Sequence, residues 1–480
     1  MADRRSRIPV AVTSLLVVAL GAVVWWGVTH LGFLSVVRRD VFVAWTLIAW
    51  AIFAVAAFTL RFVSRRSAEV LIVAGALVVG LAAICGPPNT STDSARYAWD
   101  GIVQLHGLSP YAHVPASHVL THLRPEWLFP TPSDAGGAAH CVGQRIMTTH
   151  ETTTHALLCT AINRPHDNTI YPPMAELWFA LVRSVVPVTA TYWPMQVAGL
   201  LVSLGVTLGL LVVLRRSGRP AAWAVLWAWC PLVAAEAVTN SHVDVLGAAL
   251  ATTGALLLTL RRPILGGIAL GAATAVKLIP AVVYGPLLGR RRTWAGVAAG
   301  VVTFGLLYVP YIVTTGAKVV GYLPGYLKEE GYDDGTRYAL VSLLFHGHAA
   351  TIAVGVLGLV ALAITVRLTD STRPWSGEVF LIGTVFLVLT PRYPWYVLLL
   401  IPFVVLSERW EWLGIGLAMT IRQLHASVHL YRETLGVAIV LIIVVTVIRT
   451  PRDEWRRLGR LLVGQRLADA AFGPARRAGG

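Results

Sequence analysis

The sequence predicts an all-α polytopic membrane protein. Three observations carry this. Mean hydropathy is +0.67. Only 13% of residues are charged and 56% are hydrophobic, whereas a soluble domain carries roughly a quarter charged residues. Apolar runs of about 20 residues, the length that crosses a bilayer as a helix, recur along all 480 residues. These runs are continuously apolar and do not alternate, which argues against an outer-membrane barrel.

In chain order, "MADRRSR" precedes an apolar run over 8–31. The run is longer than a signal-peptide core and lacks a small-residue cleavage site, so it reads as a first transmembrane helix. Further spans are predicted over 41–61, 69–86, 192–214, 221–238, 243–260, 264–275, 279–289, 294–313, 349–367, 376–390, 394–407, 411–424 and 434–449. This gives about 12–14 transmembrane helices in a single domain over 1–450. The net charge is +15, from 39 Lys and Arg against 24 Asp and Glu. The basic residues cluster in short loops ("RFVSRRS", "RRSGRP", "RRP", "GRRRTW") and in a basic tail over 451–480 that begins within "RTPRDEWRRLGR". That pattern fits cytoplasmic loops and anionic lipid, not nucleic acid. Both termini are then cytoplasmic; Arg38 and Arg39, in the first outer loop, run against the rule.

Two long polar segments, 87–191 and 314–348, fall on the outer side. Within the first, "TIYPPMAELWFALVRSVVP" fits either a short span or an interfacial helix. The interfacial helix is preferred, because a span would place "RRSGRP" outside. Cys141 and Cys159 share this loop, where an oxidising exterior permits either a disulfide or two free thiols. Cys85 and Cys230 read as packing residues. His106, His113, His118, His140, His150, His155 and His166 are scattered without metal-ligand spacing, so no metal site is expected.

Six polar constellations map to the outer side. In "NTSTDSARYAWDG", Ser91, Thr92 or Asp93 can cap a helix that Gly107 can end. Asp93, Tyr97 and Asp100 fall on one face of it, with Arg96 beside them. The bland alternative is a capping aspartate with a solvated Asp100. "IYPPMAE" starts a helix with paired prolines and brings Tyr171. "TNSHVDVLGAA" places Asn240, His242 and Asp244 at the outer end of two spans, lining a cavity or marking the interface. "LGAATAVKLIP" puts Lys277 between two apolar pieces of about 12 residues, as at a break between half-helices, where a lysine needs a partner or an anion. "TPRYPWYVLL" sets Arg392 among Tyr393, Trp395 and Tyr396. "GYLKEEGYDDGTRYAL" mixes Lys328, Glu329, Glu330, Asp333, Asp334 and Arg337, as a solvated loop or part of a site.

The stretch "TDSARYAWDGIVQLHGLSPYAHVP" resembles the first-loop pattern of bacterial GT-C membrane glycosyltransferases, D-x-x-R-Y-x-W-D-G followed by G-x-x-P-Y, which ends here on Tyr111. "IYPP", "NSHVDVL", "AVKLIP" and "TPRYPWYVLLLIP" recur in the same order in that superfamily. The likeness covers roughly residues 80–410 and is nearest to actinobacterial polyprenol-phosphate-mannose-dependent mannosyltransferases. It implies a GT-C fold with juxtamembrane helices in the first long outer loop. It also implies a polyprenyl-phosphate sugar as co-substrate, and an aspartate at the start of that loop as catalytic base. Asp93 matches that aspartate best, with Asp100 as competitor. The chain departs from the pattern in having two spans before the one that feeds the loop. It also has "RYPWY" where some relatives place a histidine, so no base–histidine pair carries over.

The resulting expectation is an inverting transfer of mannose to a lipid-linked or cell-envelope glycan acceptor on the extracytoplasmic face of the cell membrane. A carboxylate at a helix N-terminus stays ionised and takes the acceptor proton. The phosphate leaving group needs positive charge rather than an acid, so no cofactor is expected. The assigned catalytic residue is Asp93. The substrate-binding set is Arg96, Tyr97, Asp100, Tyr111, Tyr171, His242, Asp244, Lys277, Arg337, Arg392, Tyr393 and Trp395. The competing readings are a secondary transporter, which would favour inverted repeats and mid-membrane acids, and a non-catalytic lipid-binding scaffold.

Overall fold

A computed structural model describes residues 2–34, 39–134, 136–332, 334–370 and 372–451, with Asp453 and Trp455. Side chains are described from Ile8 onward. Arg38, Asp333 and nearly all of the basic tail lie outside the described residues.

The chain is an all-α polytopic membrane protein. Three helices open it: α1 (Ala2–His30), α2 (Arg39–Thr59) and α3 (Arg65–Ala83). The first polar segment then carries α4 (Asp93–Leu105), a hairpin of β1 (Met147–His150) and β2 (Leu157–Thr160), and α5 (Pro173–Ser184). Next come α6 (Trp193–Arg216), the short α7 (Val225–Ala228), a π-helical turn over Val233–Thr239, α8 (Asp244–Thr259) and α9 (Pro263–Thr274). A 3-10 stretch over Ile279–Leu287 leads to α10 (Arg291–Thr315). The second polar segment holds α11 (Leu323–Glu329). The chain closes with α12 (His348–Leu368), α13 (Trp375–Leu389), α14 (Ile401–Ser407), α15 (Leu413–Leu424) and α16 (Val428–Arg449).

Among the described residues, 7 helices are long and apolar enough to cross a membrane, or 8 if the bent pair around α7 counts as one span. Others of the expected 12–14 runs form short or broken apolar helices. The 221–238 run bends by 59° between α7 and the π turn, and α8, α9, α13 and the 394–407 run stay at 10–17 residues. The 279–289 run, which carries Pro280 and Pro286, is 3-10 in form.

The core explains why short helices suffice. Every residue of α14 is buried, and a helix apolar all round belongs in the centre of a bundle. The Trp229 indole donates to the Ile72 carbonyl at 3.1 Å and that of Trp227 to Ser203 at 3.0 Å. These bonds tie the α7 region to α3 and α6. α9 packs on α10 at backbone distance: a Cβ on Gly267 or Gly271 would collide with the carbonyls of Gly296 or Gly300.

α5 is a 12-residue helix, about 18 Å long against a core of about 30 Å. It packs on α4. The Cys141–Cys159 disulfide is formed and Cys230 is buried, but Cys85 is exposed. It lies beyond the end of α3, with its thiol on the Leu81 carbonyl, and is not a packing residue. The hairpin has no counterpart in the sequence reading.

Candidate functional site

The first polar segment is pinned where it leaves α3. Asn240 Oδ1 accepts from the backbone amides of Asn89 and Thr90, both at 3.2 Å, and its amide donates to Thr90 Oγ1 at 2.8 Å. Gln423 and Arg145 add bonds to the carbonyls of Thr90 and Pro88. α4 starts immediately afterwards. Thr92 is its N-cap residue without a side-chain cap bond, and Ser91 Oγ instead accepts from the Asp93 amide at 3.2 Å. The helix ends as Gly107 predicts. Gly107 has φ of +74°, its amide bonds to Gln104 and that of Leu108 to Val103, the paired closure of a Schellman motif.

This places Asp93 at the head of α4, partly exposed. Its Oδ1 accepts from the Asn163 amide at 2.6 Å and its Oδ2 faces the Tyr171 hydroxyl at 3.4 Å. Tyr97 packs edge-on to Tyr171 and flat on Phe179. Burial, then the Asp93 charge, pushes the hydroxyls of Tyr97 and Tyr171 well above the ordinary phenol range, so both remain neutral. Asp93 also acts electrostatically on Asp244 and Tyr393, which brings α8 and the 392–396 segment to the same place.

Lys277 sits between α9 and the 3-10 stretch, as the interrupted hydrophobic pattern predicts. Its ammonium bonds both oxygens of Asp244 at 2.9 Å and lies 4.3 Å from the Tyr396 ring centre. Its side chain keeps 20% exposure. Trp395 stacks on Tyr393 at 4.5 Å and meets His242 edge-on at 3.8 Å. His242 is fully buried, 3.6 Å from Glu236. Asn240, His242 and Asp244 are therefore interior groups, not interface markers.

The second polar segment folds over this cluster. The Glu330–Arg337 ion pair is buried, and Tyr393 donates to Glu330 Oε1 at 3.1 Å. Arg392 lies 3.7 Å from Glu330 with 39% side-chain exposure. Arg164 binds Glu329 through two bonds, at 2.7 and 3.0 Å. The Arg164 bonds hold the Glu329 carboxyl below its usual range. The solvated-loop reading therefore fits Lys328 and Asp334, which are exposed, and not Glu330 or Arg337.

Three assigned residues lie beneath the cluster instead of opening onto it. Arg96 Nε reaches both oxygens of Asp100 at 2.9 Å, and both side chains are buried. Tyr111 is 1% exposed and donates to the Tyr171 carbonyl at 2.5 Å. Asp100 meets Glu176, a residue that the sequence reading treats only as part of a helix start. Glu176 accepts from Thr169 at 2.6 Å and from Gln104 at 2.9 Å. Burial and the neighbouring Asp100 push the Glu176 carboxyl well above its usual range, which favours its protonated form. Asn163 and Gln104 carry no sequence signal that marks them; only the fold brings them to α4. No group of three or more His, Cys, Asp or Glu among the described residues is placed to hold a metal ion.

Residues 169–391 are similar to Glycosyltransferase family 87. This stretch contains α5 through α13, with Tyr171, His242, Asp244, Lys277 and Arg337; Asp93 precedes it and Arg392 follows it. No curated protein and no solved structure matches the chain. With the apolar helices, the match supports a membrane glycosyltransferase.

Proposed function

We propose that the chain transfers mannose, with inversion, from a polyprenyl-phosphate donor to a lipid-linked or cell-envelope glycan acceptor on the extracytoplasmic face, with Asp93 as the base. The observation that carries this reading is the contrast among three carboxylates. Asp100 is buried in an ion pair with Arg96 and Glu176 is buried with bonds from Thr169 and Gln104, whereas Asp93 is partly exposed at a helix N-terminus with one oxygen fixed by Asn163. A helix N-terminus favours the ionised carboxylate.

In the proposed step the acceptor hydroxyl gives its proton to Asp93. Its oxygen bonds to the anomeric carbon as the bond from that carbon to the phosphate oxygen breaks. The electron pair leaves with the polyprenyl phosphate. Arg392 is the more available cation for it, because Lys277 is already matched by Asp244. The partly exposed ring of Tyr393 offers a sugar platform, and the neutral Tyr171 hydroxyl a donor near the base. The fit of residues 169–391 to a glycosyltransferase family supports the reaction class.

The test is transfer from synthetic polyprenyl-phosphate mannose to membrane lipid acceptors. Asp93→Asn and Asp93→Ala are expected to lose roughly 10²–10⁴-fold in kcat. Full turnover in both removes Asp93 as base. No turnover of wild type with any polyprenyl-phosphate sugar removes the donor class and moves weight to a transport role.

A further inference from the structure

The far end of α8 and α9, away from Asp244 and Lys277, forms a basic pocket with the start of α10. It encloses about 340 Å³ and is lined by Arg261, Arg290, Arg291, Arg292 and Thr293 over the buried Leu258. Leu258 lies 14 residues along α8 from Asp244, about 21 Å at 1.5 Å per residue. We infer that this pocket binds the phosphodiester head group of an anionic phospholipid in the leaflet opposite the candidate site.

Four arginines line the pocket, and none makes a side-chain hydrogen bond or ion pair among the described residues. The acid that senses Arg290 is Asp370, an exposed loop residue shared with Arg373. Like charges gathered at one mouth repel unless an anion sits among them. Thr293 is 4% exposed, yet its hydroxyl has no hydrogen-bond partner among the described residues. It lines the pocket and can donate to a phosphate oxygen. α10 has 25 residues and its N-cap, Arg290, supplies no side-chain cap, so first-turn amides add to the positive end. Arg261 holds a φ of +61°, a region that bulky residues seldom occupy.

The surroundings favour a lipid over a free anion. Leu260, Ile264 and Trp294, next in sequence to the lining residues Arg261, Pro263 and Thr293, are 68%, 53% and 57% exposed. An exposed tryptophan and two aliphatic residues beside arginines suit the boundary between head groups and acyl chains. Free phosphate would leave that apolar rim unused; a phospholipid would cover it.

The measurement is native mass spectrometry and thermal shift on the delipidated full-length protein in neutral detergent. The probes are short-chain phosphatidylglycerol, short-chain phosphatidylcholine and inorganic phosphate. Phosphatidylglycerol is expected to bind and raise Tm. The Arg291→Gln/Arg292→Gln variant should bind it roughly 30-fold more weakly, at about 1 kcal/mol per arginine and about 1.4 kcal/mol per factor of ten. Thr293→Val, which preserves shape, should also weaken it, and so tests the site even if the double variant is unstable. Arg65→Gln/Arg66→Gln, in another basic loop, should bind as wild type does. Equal weakening in that control, equal affinity for phosphatidylcholine, or full binding by Thr293→Val and the double variant overturns the proposal. Displacement of the lipid by inorganic phosphate at matched concentration overturns the lipid as occupant. The readout is binding, so it stands apart from whether Asp93 is a base.

Discussion

Asn163 donates its side-chain amide to Asp93 Oδ1 at 2.6 Å, across 70 residues of chain. The bond fixes the carboxylate rotamer and leaves Oδ2 toward Tyr171. If Asp93 is the base, Asn163 is its positioning residue. Asn163→Ala should then lower kcat by about 10–100-fold with little change in KM, because a misaimed base loses transition-state contact rather than substrate affinity. Asn163→Asp should also raise the pH at which activity appears, since a second carboxylate disfavours ionisation of the first. Steady-state transfer kinetics across pH check both; an unchanged kcat in Asn163→Ala rules out the positioning role.

Lys277 and Asp244 form a two-bond ion pair with Asp244 nearly buried. Removing one partner strands a charge, and a stranded charge in such a setting costs roughly 3–5 kcal/mol. Lys277→Met alone should therefore lower Tm sharply. Lys277→Met with Asp244→Asn should recover much of the loss, because neither charge remains. A thermal-shift double-mutant cycle in detergent measures this. Additive losses would mean the two residues act separately.

Several parts of this arrangement were readable from residue spacing. The cap, the one-face pattern and Gly107 predict α4, and the broken hydrophobic run around Lys277 predicts the gap between α9 and the 3-10 stretch. Hydropathy cannot tell a spanning helix from a short buried one, because both are continuously apolar; hence α14, at the centre of the bundle, reads as a span. The hairpin escapes because "MTTH" and "LLCT" are too short to show alternation. Asp93 and Asp100 look equivalent in sequence, one helical face apart by seven positions. Their difference is tertiary: α5 delivers Glu176 to Asp100, and the Asn163 loop reaches Asp93.

Glu176 carries a pH signature of opposite sign to an ordinary ion pair. Its folded carboxyl is raised by burial and Asp100, so the folded segment keeps a proton that the unfolded one releases. The stability this supplies is full below the ordinary glutamate range and declines as pH rises above it. Glu176→Gln, which keeps the bonds from Thr169 and Gln104 sterically possible, should flatten that decline. Hydrogen exchange of α4 and α5 between about pH 5 and 8 reads it. A wild-type slope identical to that of Glu176→Gln would show that Glu176 is already ionised.

Glu151 shows the reverse case in the same polar segment. Its carboxylate, between the strands, accepts from Thr154 at 2.6 Å, from Thr121 at 3.1 Å and from Arg124, with His118 at 3.0 Å. The Thr154 bond, with those from Arg124, His118 and Thr121, holds its carboxyl down at about 2. The folded hairpin thus binds fewer protons than the unfolded one. The stability is present above the ordinary glutamate range and is lost as pH falls toward about 2. The Cys141–Cys159 bond keeps the segment closed meanwhile, so the change should appear as local opening of β1 and β2. Hydrogen exchange of residues 147–160 from pH 6 to pH 3 should rise in wild type beyond the intrinsic rate. It should be high at every pH in Glu151→Ala, whose removal leaves Arg124 buried without its carboxylate. Equal protection in the two proteins at pH 6 would show that the hairpin does not depend on this carboxylate.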